Sequence, residues 1–221
     1  MKEIDLQTWK RKAHYNCFIA YDNPIISATV RLDVTNLVNY CKRTGASYFA
    51  TFTYIATKCL NGIEDFRLRI KDDRVYLLDD VDPSYIVMTD EEVIVTCRSK
   101  MQNDYKSFYA DMRKDVESAK KIVDKPQFND GDRVDVYYIT CLPWIDFTTI
   151  MNPYDFKDKS ASSIPRLAWG KFVSEGDRYK MAMDIAAHHA LIDGYPLSKG
   201  FNAIQSAIDD LENFLGEFNE G

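Results

Sequence analysis

One short segment near the C-terminus carries the most informative pattern of this 221-residue chain, His188-His189-Ala190-Leu191-Ile192-Asp193-Gly194. It contains two of the three histidines and the spacing His-x-x-x-Asp-Gly. The residues before it are largely apolar, which predicts that the histidines emerge from the end of a buried strand. An imidazole with its ordinary pKa of about 6.5 can accept a proton near neutral pH. The segment therefore indicates a candidate general base.

His189 is predicted to be the reactive histidine, because it precedes Asp193 by four residues and stands where the strand turns. Asp193 lies too close to that turn to be assumed the carboxylate of a catalytic triad, and it can instead pair with an arginine and hold the loop. Gly194 is expected for backbone reasons, either a positive φ or a close approach. The alternative interpretation of the motif is a hydrogen-bonded pair of histidines buried in the core.

The composition is typical of a soluble globular protein, with 46% hydrophobic and 28% charged residues. The net charge of −6 does not favour nucleic-acid binding. No apolar run approaches the roughly 20 residues of a membrane span, and the N-terminus lacks the apolar stretch of a signal peptide. The five cysteines are far apart and form no Cys-x-x-Cys pair. We therefore expect a cytoplasmic protein with reduced thiols and no metal site.

Hydrophobic periodicity predicts helices and strands that alternate along the chain. The predicted helices are Leu6–Phe18, a helix capped by Asp33 or Thr35 that ends near Gly45, Tyr48–Leu60, a long amphipathic helix from Tyr105 to Val116, and a final helix from about Pro196 to Leu215. The predicted strands are Ile26–Asp33, Leu68–Ile70, Val75–Leu78, Tyr85–Met88, Val93–Thr96, Val134–Leu142, Leu167–Phe172 and Tyr179–His188. Turns are expected at Asp72-Asp73 and Glu175–Asp177, and a polar connection at Pro126–Asp132.

The chain has no glycine-rich phosphate loop, no internal repeat and no low-complexity linker. Many strands interleaved with packed helices favour an α+β fold. The prediction is one domain over residues 1–221, a mixed β-sheet packed with helices.

Five segments in order along the chain carry a resemblance to a known family. They are Trp9–Tyr15, Thr29–Thr35, Phe66–Pro83, Leu142–Phe147 and His188–Tyr195. Together they resemble the chloramphenicol acetyltransferases of the classical trimeric type, over nearly the whole length of the chain. The pattern His-x-x-x-Asp-Gly also occurs in dihydrolipoyl acyltransferases and peptide-synthetase condensation domains, so the order and spacing of all five segments are the specific signal.

The resemblance implies an enzyme that passes an acetyl group from acetyl-CoA directly to a hydroxyl of chloramphenicol, without an acyl-enzyme, and so confers antibiotic resistance. His189 would be the general base, and Asp193 would pair with Arg11. Thr149 would replace a serine that donates to the tetrahedral oxyanion. The active site would lie between the subunits of a homotrimer, so that each chain supplies half of each site.

The resemblance also implies binding residues and departures from the family pattern. Trp144 and Lys171 would contact CoA, and Phe18, Ile26, Val95 and Thr96 would line the acceptor pocket. Large or reactive family residues are replaced at five positions, Pro24 for a cysteine, Ile26 and Val95 for phenylalanines, Ala168 for a threonine and Ser47 for a lysine. The catalytic half is thus retained while the acceptor half has changed.

The altered pocket leaves two alternatives open. One is an acyltransferase for another alcohol or for a thiol, related to the dihydrolipoyl acyltransferases but without their lipoyl domain and linker. The other is a catalytically idle binding homologue that keeps the fold and the trimer.

Overall fold

The computed structural model describes residues 1–122 and 133–216. The described strands are β1 (Lys2–Glu3), β2 (Ile25–Asp33), β3 (Leu68–Lys71), β4 (Arg74–Leu77), β5 (Asp82–Met88), β6 (Ile94–Arg98), β7 (Val136–Leu142), β8 (Arg166–Gly170), β9 (Val173–Glu175) and β10 (Arg178–His188). The described helices are α1 (Lys12–Phe18), α2 (Thr35–Thr44), α3 (Tyr48–Asn61), α4 (Tyr105–Lys120), α5 (Lys159–Ser162), α6 (Gly194–Asp209) and α7 (Leu211–Leu215), with a 3-10 turn at Glu64–Arg67. The predicted polar connection Pro126–Asp132 lies outside the described residues.

The main sheet is mixed, with the strand order β2-β10-β8-β7-β5-β6 and β9 paired to β10. Strand β10 is antiparallel to β2, β8 and β9, whereas β7 is parallel to both β8 and β5. This mixed helix-and-sheet architecture confirms the predicted fold class. A second, small sheet of order β1-β4-β3 includes the two-residue strand β1, which the periodicity did not predict.

The two faces of the main sheet differ in chemistry, because successive side chains of a strand point to opposite sides. One face packs against helices α2, α3, α4 and α6 and carries apolar residues such as Met183, Ile185 and Trp169. The other face, called the polar face below, carries Thr29, Arg31, Ser84, Thr96, Tyr138, Thr140, Arg166 and Asp184. Side chains of this face contact each other across neighbouring strands. For example, the Thr29 hydroxyl of β2 donates to Asp184 Oδ2 of β10 at 2.8 Å.

Helices α3 and α6 approach closely beneath the sheet. A Cβ atom at Gly200 of α6 would lie 2.9 Å from Leu60 Cδ2 and 3.0 Å from the Phe66 ring. Glycine at this position therefore sets the distance between the two helices. Helix α6 begins directly after the His-x-x-x-Asp segment, so this packing also fixes the turn that carries His189.

Two predicted helices differ from the structure at their ends. The first begins only at Lys12, because the Asp5 carboxylate accepts hydrogen bonds from the Gln7 N–H and the Thr8 hydroxyl and holds a turn instead. The last is broken at Asp210, whose backbone leaves the helical region with φ −115° and ψ 47°. The other predicted helices and strands occur within a few residues of their expected bounds.

Within residues 1–122 and 133–216, no helix has the length and apolar character needed to cross a membrane.

His188 ends strand β10 as a buried polar residue, with 2% of its surface exposed. Its Nδ1 accepts a hydrogen bond from the Ala190 N–H at 3.2 Å. Burial, and then the neighbouring His189 and Lys159, lower the pKa of His188 to about 4. His188 is therefore neutral at neutral pH and is the core histidine of the pair.

We predict that His188 makes the protein less stable in mild acid. The unfolded chain binds the proton near pH 6.5 and the folded chain only near pH 4, so stability is full above pH 6.5 and falls as the pH drops between these values. At about 1.36 kcal/mol per pKa unit, the loss attributable to His188 is about 3 kcal/mol. Denaturant unfolding of the wild type and of His188→Gln from pH 7 to pH 4 measures it. The prediction is wrong if both proteins lose stability in parallel.

Candidate active site

His189 stands in a tight turn between β10 and α6. Its backbone N–H donates to the Pro24 carbonyl at 2.6 Å, and the N–H groups of Leu191 and Ile192 donate back to the His188 carbonyl. The imidazole Nδ1 lies 3.0 Å from the Ile192 carbonyl oxygen. A carbonyl oxygen can only accept, so Nδ1 carries the hydrogen and Nε2 is left with a lone pair. The turn thus selects the tautomer that a general base needs.

Aromatic rings hold the His189 imidazole in position. The Phe18 ring packs on it with centroids 3.8 Å apart and 30° between the planes. The His14 ring lies at 5.1 Å, edge-on, and its Nε2–H donates to the His189 carbonyl. Ile26 pairs with Ala187 on the neighbouring strand, close to the same turn. Phe18 and Ile26, both predicted for the acceptor pocket, are therefore brought to the His189 end of the sheet.

An ion-pair network ties α1 to α6 beside this turn. Arg11 Nη2 lies 3.0 Å from Asp193 Oδ2, and Arg11 Nη1 lies 3.4 Å from Asp65 Oδ1. The other Asp193 oxygen accepts the Tyr195 N–H at 2.8 Å and caps α6. The Arg11 side chain is only 16% exposed and that of Asp193 35%. Asp65 was missed by sequence reasoning, since nothing in its surroundings distinguishes it from other acidic residues.

The predicted CoA-binding residues lie at the other end of the sheet. Trp144 follows β7 and is 65% exposed. Lys171 follows β8, and its backbone N–H donates to the Ile145 carbonyl at 2.7 Å. Ser47, where the resemblance implies a replaced lysine, caps α3 by accepting the Ala50 N–H. Trp144 and Lys171 are thus brought together, while Ser47 has a helix-capping contact of its own.

Thr149 belongs to an exposed loop that crosses the polar face. Phe147, two residues earlier, packs against Ala168 and Ala182. Trp169, next to Ala168, is in register with Met183 on β10, six residues before His189. At about 3.3 Å per residue, this part of the loop and His189 are separated by roughly 20 Å along the sheet. No hydrogen bond or ring contact joins Thr149 to His189 in the described part of the chain.

A cavity of about 340 Å³ opens on the polar face between these two ends. Thr96, one of the predicted acceptor residues, lines it together with Thr140, Tyr138, Asn152 and Arg166. Val95, its neighbour on β6, points to the opposite side and is buried in the apolar core. The two residues therefore face different environments, as the alternation of a strand requires.

Thr140 is a cavity residue that sequence reasoning missed. It lies on β7 in register with Ala168 of β8, so its hydroxyl shares the polar face with Thr96. The signal was present in the sequence, because Tyr138 and Thr140 alternate with buried apolar residues along the predicted strand.

Within residues 1–122 and 133–216, His, Cys, Asp and Glu side chains form no group of three or more that suits a metal ion.

Known proteins share both the sequence pattern and this fold. A family model described as chloramphenicol acetyltransferase matches residues 1–205. A chloramphenicol acetyltransferase from Proteus mirabilis is 28% identical over 209 residues, which cover 94% of each chain. A solved chloramphenicol acetyltransferase superposes with a TM-score of 0.84 at 26% identity, covering 94% of this chain and 99% of the other.

A probable dihydrolipoamide acetyltransferase from Listeria monocytogenes shares the fold, with a TM-score of 0.65 at 14% identity over 100% of this chain and 98% of its own. The family match, in contrast, spans nearly the whole chain and includes Arg11, Trp144, Thr140 and the His189 turn. The chain therefore belongs to the chloramphenicol acetyltransferase family and is an acyltransferase.

Proposed function

We propose that this protein transfers an acetyl group from acetyl-CoA directly to a hydroxyl of a small acceptor, with chloramphenicol as the named candidate. The observation that carries the proposal is the His189 imidazole, whose Nδ1–H is held by the Ile192 carbonyl. Among the described residues, its Nε2 has no hydrogen-bond partner. This nitrogen is therefore available to a substrate hydroxyl.

In the proposed reaction, His189 Nε2 takes the proton of the acceptor hydroxyl as its oxygen attacks the thioester carbonyl. The new C–O bond gives a tetrahedral oxyanion, and the C–S bond then breaks. The departing CoA thiolate recovers the proton from His189, so the enzyme returns to its starting state without an acyl intermediate. Arg11 and Asp193 act as positioning residues, because their ion pair holds the turn on which His189 sits.

The oxyanion needs a hydrogen-bond donor, and two threonines are candidates. The resemblance implies Thr149, which lies in an exposed loop. Thr140 has stronger support from the geometry, because it lies on a paired strand and lines the cavity. A donor fixed on a strand loses less freedom during the reaction than one on a loop. We therefore propose Thr140 as the donor and keep Thr149 as the alternative.

We further propose that the active site forms between subunits of a homotrimer. The separation of roughly 20 Å within one chain supports this, since His189 of one copy then faces the polar face of the next. A ring of three identical copies closes on itself and completes three equivalent sites. Each site would combine His189 and Phe18 of one copy with Thr140, Trp144 and Lys171 of its neighbour.

The substrate contacts follow from the same arrangement. The exposed Trp144 indole and the Lys171 ammonium would bind CoA, the lysine by attracting a phosphate. Phe18, Ile26 and Thr96 would contact the acceptor, whereas Val95 would shape the strand from the core side. We also propose a cytoplasmic location, because the five widely spaced cysteines are typical of a protein with reduced thiols.

We predict that His189→Ala lowers kcat for acetyl transfer by at least about 10²-fold, because general-base catalysis is lost. A thiol-release assay with acetyl-CoA and chloramphenicol measures it. Calorimetric binding of acetyl-CoA serves as the control for folding and should be unchanged. Undiminished CoA release by the variant would remove His189 from the mechanism.

We predict that Thr140→Val lowers kcat by about 10²-fold through loss of one oxyanion donor, with little change in the KM for acetyl-CoA. Thr149→Val should change kcat by less than about threefold, and Thr148→Val in the same exposed loop is the matched control. A large loss in Thr149→Val with an active Thr140→Val would return the role to Thr149.

We predict a trimer of roughly 77 kDa by light scattering, three times the chain mass of 25.6 kDa. Refolding His189→Ala together with Thr140→Val should restore CoA release well above either variant alone. In a mixed trimer, some sites then combine the unaltered His189 of one variant with the unaltered Thr140 of the other. A monomer, or a mixture no more active than its parts, would contradict the shared site.

One observation favours a different acceptor as the second candidate. Several polar atoms around the cavity are buried and have no hydrogen-bond partner among the described residues. An apolar acceptor would leave them unsatisfied, at a cost of about 1–3 kcal/mol for each such group.

A further inference from the structure

Four buried polar atoms at or next to the cavity on the polar face have no hydrogen-bond partner among the described residues. They are Thr96 Oγ1, Asn152 Nδ2, Tyr154 OH and Arg166 Nε. Thr96, Asn152 and Arg166 line the cavity, and Tyr154 stacks on Arg166 from the loop that follows β7. Buried polar atoms in folded proteins almost always have hydrogen-bond partners, so three such atoms on residues that line one cavity point to a ligand that supplies the partners.

Arg166 is the central group of this cluster. Its guanidinium lies 3.8 Å from the centre of the Tyr154 ring and 5.7 Å from that of Tyr138. Among residues 1–122 and 133–216, it has neither an ion pair nor a hydrogen bond. Burial lowers its pKa, but an arginine remains charged at neutral pH. The stacking holds the guanidinium in one plane and leaves its N–H groups to a ligand.

The other members of the cluster add hydrogen-bond donors. The Asn152 amide nitrogen can only donate, and the Thr96 hydroxyl can donate or accept. Burial raises the pKa of Tyr154, so its hydroxyl keeps its proton and can donate as well. Thr96, Asn152 and Arg166, which line the cavity, together present an excess of donors. The ligand group that matches them is rich in acceptor oxygens.

A nearby carboxylate does not neutralise this cluster. Asp184 lies on the same face, and its charge contributes to the raised pKa of Tyr154. Burial raises the pKa of Asp184 itself. Its Oδ2 accepts the Thr29 hydroxyl at 2.8 Å, and its Oδ1 has no partner among the described residues. No ion pair joins Asp184 to Arg166 in the described part of the chain. One positive charge is therefore available to a ligand.

We propose that this cavity binds an anionic oxygen group, a carboxylate or a phosphate, on the hydroxylated acceptor. The inference rests on the proposed acetyl transfer and names the substrate class of that same site. The planar fork of Arg166 can pair with two oxygens of such a group, and Asn152 and Thr96, which also line the cavity, can donate further hydrogen bonds to it. The volume of about 340 Å³ accommodates a small molecule with one ring. The acceptor is thus a small anionic alcohol.

The test compares three alcohols that differ in one substituent, 4-(hydroxymethyl)benzoate, 4-(hydroxymethyl)phenyl phosphate and the neutral 4-(hydroxymethyl)benzamide. CoA release is measured for the wild type, Arg166→Met and Arg166→Lys. The wild type should prefer at least one anionic alcohol over the amide by about tenfold or more in kcat/KM. Arg166→Met should remove this preference with the KM for acetyl-CoA unchanged. Arg166→Lys should retain part of it, because the charge remains. The carboxylate and phosphate arms show which anion is preferred.

Arg43→Met is the matched control, because Arg43 is 62% exposed and pairs with Glu212 away from the cavity. It should behave as the wild type. Equal use of the benzamide and both anionic alcohols by the wild type, with the same ratios in Arg166→Met, would overturn the inference. Thermal melting of each variant establishes that it is folded.

Binding separates failure of this inference from failure of the proposed function. If no alcohol is acetylated, calorimetry with benzoate, phenyl phosphate and benzamide still reports on the cavity. Tighter binding of either anion by the wild type, lost in Arg166→Met, supports the inference without any turnover. Equal or absent binding of all three overturns it. CoA release from acetyl-CoA and chloramphenicol that depends on His189 would then leave the acetyl-transfer proposal standing alone.

Discussion

The antiparallel pairing of β10 with β8 is the constraint on which the rest of the site depends. Strands β7 and β8 run in one direction and β10 in the other. The loop after β7 and the turn after β10 therefore leave the sheet at opposite ends, about 20 Å apart. Trp144 and Lys171 lie at the first end, and His189 lies at the second. The proposed site, which combines these groups, therefore has its two parts at opposite ends of the sheet of one chain, and this separation follows from strand direction.

The His189 turn obtains its rigidity from interactions that each serve a second purpose. Asp193 caps helix α6 with one oxygen and pairs with Arg11 through the other. The Ile192 carbonyl belongs to the turn and also selects the imidazole tautomer. The His188 Nδ1 accepts the Ala190 N–H of this turn from inside the core, where burial keeps the imidazole neutral. The adjacent histidines therefore differ in their environment, because His188 is buried in the core while the His189 ring packs against Phe18 and His14.

Sequence periodicity was sufficient for most of the fold, because strands and helices differ in the spacing of their apolar residues. It failed where local hydrogen bonds compete with the helix, as at Asp5, and where a helix breaks without proline or glycine, as at Asp210. It also missed Asp65 and Thr140. No local pattern distinguishes Asp65, because its partner Arg11 is distant in sequence, whereas strand alternation places Thr140 on the polar face but does not show that a cavity lies there.

Residue types and their spacings along the chain were sufficient to predict the α+β class and the family, and they indicated His189 as the candidate general base. Only the tertiary structure decided which histidine is buried, that Arg11 bridges two carboxylates, and that Arg166 lies beside a cavity without a partner carboxylate among the described residues. The physical reason is that protonation, pairing and desolvation depend on the distances between groups. Register and strand direction set those distances between residues that are far apart in the chain.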